Sequence, residues 1–308
     1  MNEVRIFSPA TIANLSCGFD TLGLALTSVG DEMLLKKTAT KGVTISKIEG
    51  ADLTFDSTQN VASVVAIAML EAANADFGVD IELYKKVKPG SGLGSSASSA
   101  AGAAFAVNEL LGKPFSQLEL TNFSRIGEEI ACGSPIADNV AAAIYGGIIL
   151  VKNYEPLEII KLPVPNELWA TVIHPQIEVK TEDARNALPK NIPIADSTRQ
   201  SANLAGLVSA LYTDDYALIS RSLIDIIAEP YRKGLIPLFD DVKINALAKG
   251  ALGVGISGSG PSIFALCKGE SDANNVAKTM RGVYQNSSID FNIYVSKINT
   301  EGVKILEP

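Results

Sequence analysis

Along this chain, stretches in which apolar residues alternate or are β-branched trade places with longer stretches in which they recur at helical spacing. In the first half, Val4–Phe7, Glu32–Lys37, Val43–Ile48 and Asp80–Lys86 read as strands, and Asn60–Ala73, Ser95–Leu111 and Leu118–Ala131 as helices. A β-branched run, Ile148–Val151, closes that half. After the proline-punctuated loop Leu162–Pro165 a second cycle follows: strand Trp169–His174, helix Asp196–Leu211, strands Val254–Ser257 and Ser262–Cys267, helix Asp272–Val283 and strand Phe291–Lys297. Strand, helix, two strands, helix, strand is the order of a ferredoxin-like sandwich, here with extra helices inserted between Asp214 and Lys249. The pattern predicts an α+β fold of two domains, residues 1–165 and 166–308, with the boundary near Asn166.

Composition narrows the class. At 308 residues and 47% hydrophobic content the chain can fill two cores. The most apolar helical run, Val61–Ala73, is interrupted by Glu71 and too short to span a bilayer, and Met1-Asn-Glu-Val-Arg5 does not read as a signal peptide. Cys17, Cys132 and Cys267 are few and far apart, which suits a reducing cytoplasm and argues against disulfides or a zinc site. A net charge of −8 argues against nucleic-acid binding, so an anionic substrate must meet locally concentrated positive charge. The one histidine, His174, excludes histidine-rich metal sites and reads as a structural strand-end residue. No G-x-S-x-G elbow is present, because Ser259 stands where Gly255-Ile-Ser257-Gly258 needs a second glycine.

The densest chemical signal is Lys88-Pro-Gly-Ser-Gly-Leu-Gly-Ser-Ser-Ala-Ser98. Gly90, Gly92 and Gly94 permit positive φ and close approach to a ligand, and Ser95 and Ser96 open a helix whose first turn has free N–H groups at the positive end of its dipole. That combination predicts a phosphate cradle; the plainer reading is a flexible turn before a helix. Neither a Walker ending nor the G-x-G-x-x-G dinucleotide spacing is present. Lys85, Lys86 and Lys88 precede the turn and read either as polyphosphate contacts or as a solvated strand end.

Four further constellations stand out. Asn14 and Asp20 interrupt an apolar, glycine-punctuated stretch from Ala10 to Gly23, as cleft residues or as a capped turn. Glu128 closes one helix and Asp138 or Asn139 opens another as its N-cap, while Glu128 with a cradle serine forms a hard-oxygen set suited to Mg²⁺. Arg185 and Arg232 each fall in a short helix bounded by proline; two converging guanidinium forks read as a carboxylate clamp, and singly as surface ion pairs. Gly253–Ser262 is a second glycine-dense turn, which points to close backbone approach to a ligand or to the first domain.

In order and over nearly the whole chain, Asn14–Gly23, Ser91–Ser98 and Gly255–Pro261 resemble the motifs of the GHMP kinases. Within that superfamily, Ala13–Asp20, Gly127-Glu128 with Ala137-Asp-Asn-Val-Ala141, Thr181–Arg185 and Glu229–Pro237 are most similar to the homoserine kinase family. The resemblance implies a two-domain GHMP-kinase fold and ATP-dependent phosphorylation of the side-chain hydroxyl of L-homoserine to O-phospho-L-homoserine, on the route to threonine. Carried over by position, it puts Asn14 at the reacting hydroxyl, Asp20 at the substrate ammonium, Arg185 and Arg232 at its carboxylate, and Thr181 and Gly258 beside the substrate. Lys88, Pro89, Gly90, Ser91, Gly92, Leu93, Gly94, Ser95, Ser96, Ala97 and Ser98 wrap the phosphates in this reading. Ser96 and Glu128 hold Mg²⁺, and Asn60 lies near the adenine. The chain departs from the family in placing the cradle proline at Pro89 and in having no imidazole within Ser134–Ala137. Other branches of the superfamily place an aspartate base eleven residues beyond the metal carboxylate, where this chain has Asn139. An amide cannot accept the proton, so positioning and charge neutralisation carry catalysis in this reading, the proton leaving to phosphate or solvent with Asp138 as the alternative acceptor. Competing readings are a mevalonate or sugar kinase and a ligand-sensing homologue without turnover; Asp20 with two arginines favours an amino acid, and Glu128 with Ser96 favours catalysis. A homodimer is left open.

Overall fold

The computed structural model describes residues 1–179 and 181–307. Its first sheet has seven strands. Strands β1 (Glu3–Ala13) and β2 (Leu22–Thr38) form its antiparallel spine, β4 (Gly78–Tyr84) and then β3 (Val43–Glu49) extend it on one side, and the short β11 (Lys304–Ile305) flanks β1. The upper half of β2 pairs with β4, whereas its lower end, Leu22–Leu24, pairs with β5 (Ile148–Tyr154), which continues to β6 (Leu157–Leu162). Both spine strands are longer than their alternation predicts. Val4 and Ile6 alternate with exposed Glu3 and Arg5, but from Ser8 onward β1 is buried on both faces, so the period-2 signal vanishes there.

Helices α1 (Val61–Ala72), α2 (Ser95–Leu111), α3 (Gln117–Cys132) and α4 (Asp138–Tyr145) pack over this sheet around one core. Helix α2 lies at their centre, where alanines and serines let three helices and the sheet approach it closely. Gly102 shows how closely: a Cβ there would sit 2.9 Å from the Met33 methyl and 3.2 Å from Ile6 Cδ1.

The second sheet contains β7 (Leu168–Pro175), β8 (Ala251–Ile256), β9 (Ile263–Lys268) and β10 (Phe291–Lys297) in the antiparallel order β10-β7-β9-β8. In local numbering this is 4-1-3-2, as the ferredoxin-like reading requires. One face packs on α9 (Phe239–Leu247) and α10 (Gly269–Gln285). The other face shares a core with the first sheet, in which Ile12, Leu22 and Leu24 meet Val172, Phe264 and Leu266, with Leu207 and Leu211 of α6 (Ile194–Thr213). The inserted elements α5 (Thr181–Asn186), α7 (Tyr216–Ser222) and α8 (Glu229–Arg232) lie between β7 and β8 in the chain. Among the described residues no helix is long and apolar enough to cross a membrane.

Candidate active site

A cleft of about 350 Å³ opens where the two sheets meet. One end is built from the glycine loop, whose Gly90, Gly92 and Gly94 have φ of 71°, 75° and 63°. Two of these glycines are demanded by packing. A Cβ on Gly92 would lie 2.6 Å from the Gly260 carbonyl oxygen and 2.7 Å from that of Ser257, and one on Gly94 would lie 2.0 Å from Thr11 Oγ1. The second glycine turn therefore approaches the first domain: Ser257 Oγ donates to the Gly92 carbonyl and Ser262 Oγ to that of Ser91, both at 2.6 Å. With Gly94 left-handed at its N-cap, α2 starts without a side-chain cap where Gly94, Ser95 and Ser96 line the cleft, which leaves first-turn N–H groups for an anion.

The three lysines before the loop part company. Lys85 is buried, pairs with Asp31, and donates to the Ser95 carbonyl and to Ser99 Oγ, each at 2.9 Å. Asp31 in turn accepts from the backbone N–H groups of Lys86 and Val87, so this pair staples the loop's entry to the helix above it. Burial pulls the Lys85 ammonium down in pKa and Asp31 opposes it. Lys86 reaches Glu32 at the surface, and exposed Lys88 donates to Gln176 Oε1 at 2.7 Å. Pro89, Gly90, Ser91 and Gly92 line the cleft, whereas Leu93, Ala97 and Ser98 are buried behind it, Ser98 Oγ donating to the Ser8 carbonyl at 3.0 Å. Asn60 borders the same end but is committed to local structure: it caps α1 through Ala62 N–H at 3.0 Å and donates to the Thr54 carbonyl at 2.9 Å.

Two buried carboxylates occupy the middle of the cleft. Glu128, on the last turns of α3, is 6% exposed and its Oε1 has no partner. Burial pushes its carboxyl up to about 7, with the Ser96 hydroxyl acting in the opposite direction. Asp138 is pushed up to about 8, first by burial and then by the nearby charge of Asp20, while the Asn139 N–H opposes. The expected N-cap role for Asp138 or Asn139 is not what forms: α4 begins at Asp138, Ala137 occupies the cap position, and Asp138 Oδ1 accepts from Asn139 N at 2.7 Å. An orphaned, desolvated carboxylate oxygen beside a serine hydroxyl is a fit for a hard divalent cation. The described residues contain no group of three or more acidic, histidine or cysteine side chains able to hold a metal.

The other end is charged. Residues Asn14, Leu15, Ser16 and Asp20 take positive φ, and the turn they make closes when Asn14 Oδ1 accepts from Asp20 N at 2.9 Å. The Asn14 side chain thus caps the turn, with Asp20 supplying its backbone N–H, and both residues also line the cleft. Opposite them, buried Arg232 donates through Nε to the Ala184 carbonyl at 2.9 Å and through Nη1 to the Gly258 carbonyl at 3.1 Å, its guanidinium standing 5.1 Å over the Phe19 ring. Asn14 Nδ2 donates to the same Gly258 oxygen at 3.1 Å. Arg185 Nη2 approaches Asp20 Oδ2 at 3.8 Å. Burial raises the Asp20 carboxyl while Arg185 and Arg232 pull it down; burial lowers the Arg232 guanidinium while Asp20 and Asp225 oppose. The Thr181 side chain lies outside the described residues.

Sequence reasoning missed the supports of this end. Asp225 accepts from the backbone N–H groups of Ile227, Ala228 and Glu229 at the start of α8, and Gln200 Nε2 donates to the Cys17 carbonyl at 3.0 Å and toward Asp225. It also missed Thr11, whose Oγ1 donates to Asn139 Oδ1 at 2.6 Å. Gln200 and Thr11 find their partners more than a hundred residues away, and Asp225, whose partners are local, lies outside the motifs read from the sequence.

Residues 60–147 match the family GHMP kinases N terminal domain, and residues 207–286 match GHMP kinases C terminal. Fold and cleft together thus define a kinase of the GHMP class. A Chlorobium phaeovibrioides homoserine kinase is 44% identical over 99% of this chain and 100% of its own length. The crystal structure of homoserine kinase from Cytophaga hutchinsonii superposes with a TM-score of 0.96 at 47% identity, covering 99% of this chain and 98% of that one. The L. major mevalonate kinase, at 15% identity and a TM-score of 0.73 over 96% of each chain, shares the fold. The chain belongs to the homoserine kinase family of the GHMP kinases.

Proposed function

We propose that this protein transfers the γ-phosphoryl group of ATP to the side-chain hydroxyl of L-homoserine, giving O-phospho-L-homoserine on the route to threonine. The observation that carries the reading is the polarity of the cleft: Asp20 between Arg185 and Arg232 at one end, and an uncapped helix start behind a glycine loop at the other. A zwitterion needs a carboxylate and a guanidinium fork held apart from the polyphosphate, and this arrangement supplies them. Arg232 and Arg185 take the substrate carboxylate, Asp20 its ammonium, and Asn14 and the Gly258 carbonyl border its side chain. The loop from Pro89 to Ser96 takes the phosphates through backbone N–H groups and hydroxyls, with Asn60 beside the base. Glu128 and Ser96 hold Mg²⁺, which when bound neutralises charge on the transferring phosphoryl oxygens.

Asn139 is an amide and cannot take up the hydroxyl proton. The rate then comes from positioning, the proton leaving to phosphate or solvent; the raised carboxyl of Asp138 favours it as the alternative acceptor. Location in the cytoplasm completes the reading, and light scattering decides between a monomer and a homodimer. The deciding test is coupled ADP release with L-homoserine, L-threonine, mevalonate and galactose. Turnover is expected with homoserine; its absence there overturns the proposal, and turnover with mevalonate or galactose instead identifies the competing kinase.

A further inference from the structure

Thr11 is fully buried in β1, and its backbone N–H donates to the Leu93 carbonyl of the glycine loop at 3.1 Å. Its hydroxyl donates to Asn139 Oδ1 at 2.6 Å, in space that exists only because residue 94 has no Cβ. On its other side Asn139 donates twice to Asp138 Oδ1, through N at 2.7 Å and through Nδ2 at 3.3 Å. A backbone N–H can only donate, so Asp138 Oδ1 is an acceptor whatever the protonation of its other oxygen. The edge of the Asn139 carboxamide facing it must therefore be the NH₂, and the edge facing Thr11 the carbonyl. A flipped amide would set two acceptors against each other beside Asp138. The second hydrogen of Asn139 Nδ2 has no protein acceptor among the described residues, and Asn139 lines the cleft.

We propose that Thr11 is a positioning residue: with Asp138 it clamps the Asn139 carboxamide so that an N–H, not a carbonyl, is presented to the reacting oxygens. This rests on reading the cleft as the phosphoryl-transfer site. Where related chemistry can employ a carboxylate base, the site then offers a fixed hydrogen-bond donor to charge developing between the attacking oxygen and the phosphoryl group.

The test is a double-mutant cycle with an independent structural readout. Thr11→Val keeps the buried shape and removes the hydroxyl; it should lower kcat about tenfold to a hundredfold while the KM for ATP and for homoserine stay within about twofold. Thr11→Ser should restore kcat to within about threefold of the parent, because the donor returns. In an Asn139→Ala background Thr11→Val should have no further effect, since the group it orients is gone. A Thr11→Val penalty that persists in that background, or that falls on the KM for ATP, overturns the proposal in favour of general loosening of the loop. In the substrate-free protein, the Asn139 side-chain NH₂ resonances, assigned by their loss in Asn139→Ala, should shift and exchange faster in Thr11→Val but not in Thr11→Ser. An unchanged pair overturns the clamp. A parent enzyme inactive on homoserine would refute the substrate assignment alone, while the resonances would still decide the clamp.

Discussion

The glycine loop and the arginine pocket are the two ends of one cleft, built by opposite means. At the loop end the surface offered to a ligand is largely backbone, held by serine hydroxyls from the second glycine turn and by the buried Asp31–Lys85 pair beneath. At the arginine end it is side chains, drawn from the turn after β1, from α5 and from α8 and gathered around the Gly258 carbonyl, which meet only when both sheets are in place. A backbone cradle is specified locally and reads any polyphosphate; a side-chain pocket is specified by convergence and discriminates among small acceptors. The cleft couples a generic donor site to a selective acceptor site.

The largest effect should fall where the two ends meet. Glu128→Gln is expected to lower kcat by about 10²- to 10³-fold at saturating Mg²⁺ and ATP, the loss typical of one strong electrostatic contact in a transition state. Thermal stability should not fall, because the carboxylate is desolvated and has an unpartnered oxygen. An unchanged rate would remove Glu128 from the site. Arg232→Ala should break the acceptor end alone: truncating a buried, hydrogen-bonded charge costs about 2 kcal/mol or more, which is about thirtyfold or more in the KM for homoserine, with the KM for ATP nearly unmoved. Equal effects on both substrates would refute the clamp. Gly92→Ala should break the donor end alone, because the new Cβ meets two carbonyl oxygens of the second glycine turn. A rise of about tenfold in the KM for ATP and a loss of about 1–3 kcal/mol in urea unfolding are expected, as for other overpacked sites. A homoserine KM that rises in parallel would mean the two ends are not separable.

The smallest effect concerns acid. His174 is buried behind the donor end, where its Nδ1 meets Gln176 Nε2 and Gln176 Oε1 accepts from Lys88. Burial, then the Lys88 charge, lowers it from 6.5 to about 4. Above pH 6.5 both folded and unfolded states hold it neutral; as pH falls from 6.5 toward 4 only the unfolded state takes up the proton, so stability declines over that window. His174→Gln should flatten the difference between urea midpoints measured at pH 7 and pH 5. An unaltered difference would show that His174 is protonated in the folded protein.

Much of the fold was legible. The alternation in Val43–Ile48, the helical run Ser95–Leu111 and the second cycle from Trp169 to Lys297 all correspond to observed elements, and the ferredoxin-like order emerges in the second sheet. What escaped was structure buried on both sides or made by distant partners. Strand β2 begins at Leu22, well before the alternating segment at Glu32, because its lower part faces the second sheet and lacks a polar face. Likewise the edge strand β11 has only two residues, and the edge strand β6, Leu157–Leu162, does not alternate in burial, so neither shows a period.

The same division runs through the site. The chain alone determines the left-handed turns of the glycine loop, the helix it feeds and the residue types needed for a zwitterion and a metal, because these follow from backbone sterics and side-chain chemistry within a few positions. Only tertiary structure decides that Gly92 is required by the carbonyls of Gly260 and Ser257, and that the Gly258 carbonyl accepts from both Asn14 and Arg232. It alone sets Thr11 against Asn139. Each of these depends on groups more than a hundred residues apart, or on a turn docked against another domain, and short-range periodicity carries no information about such distances.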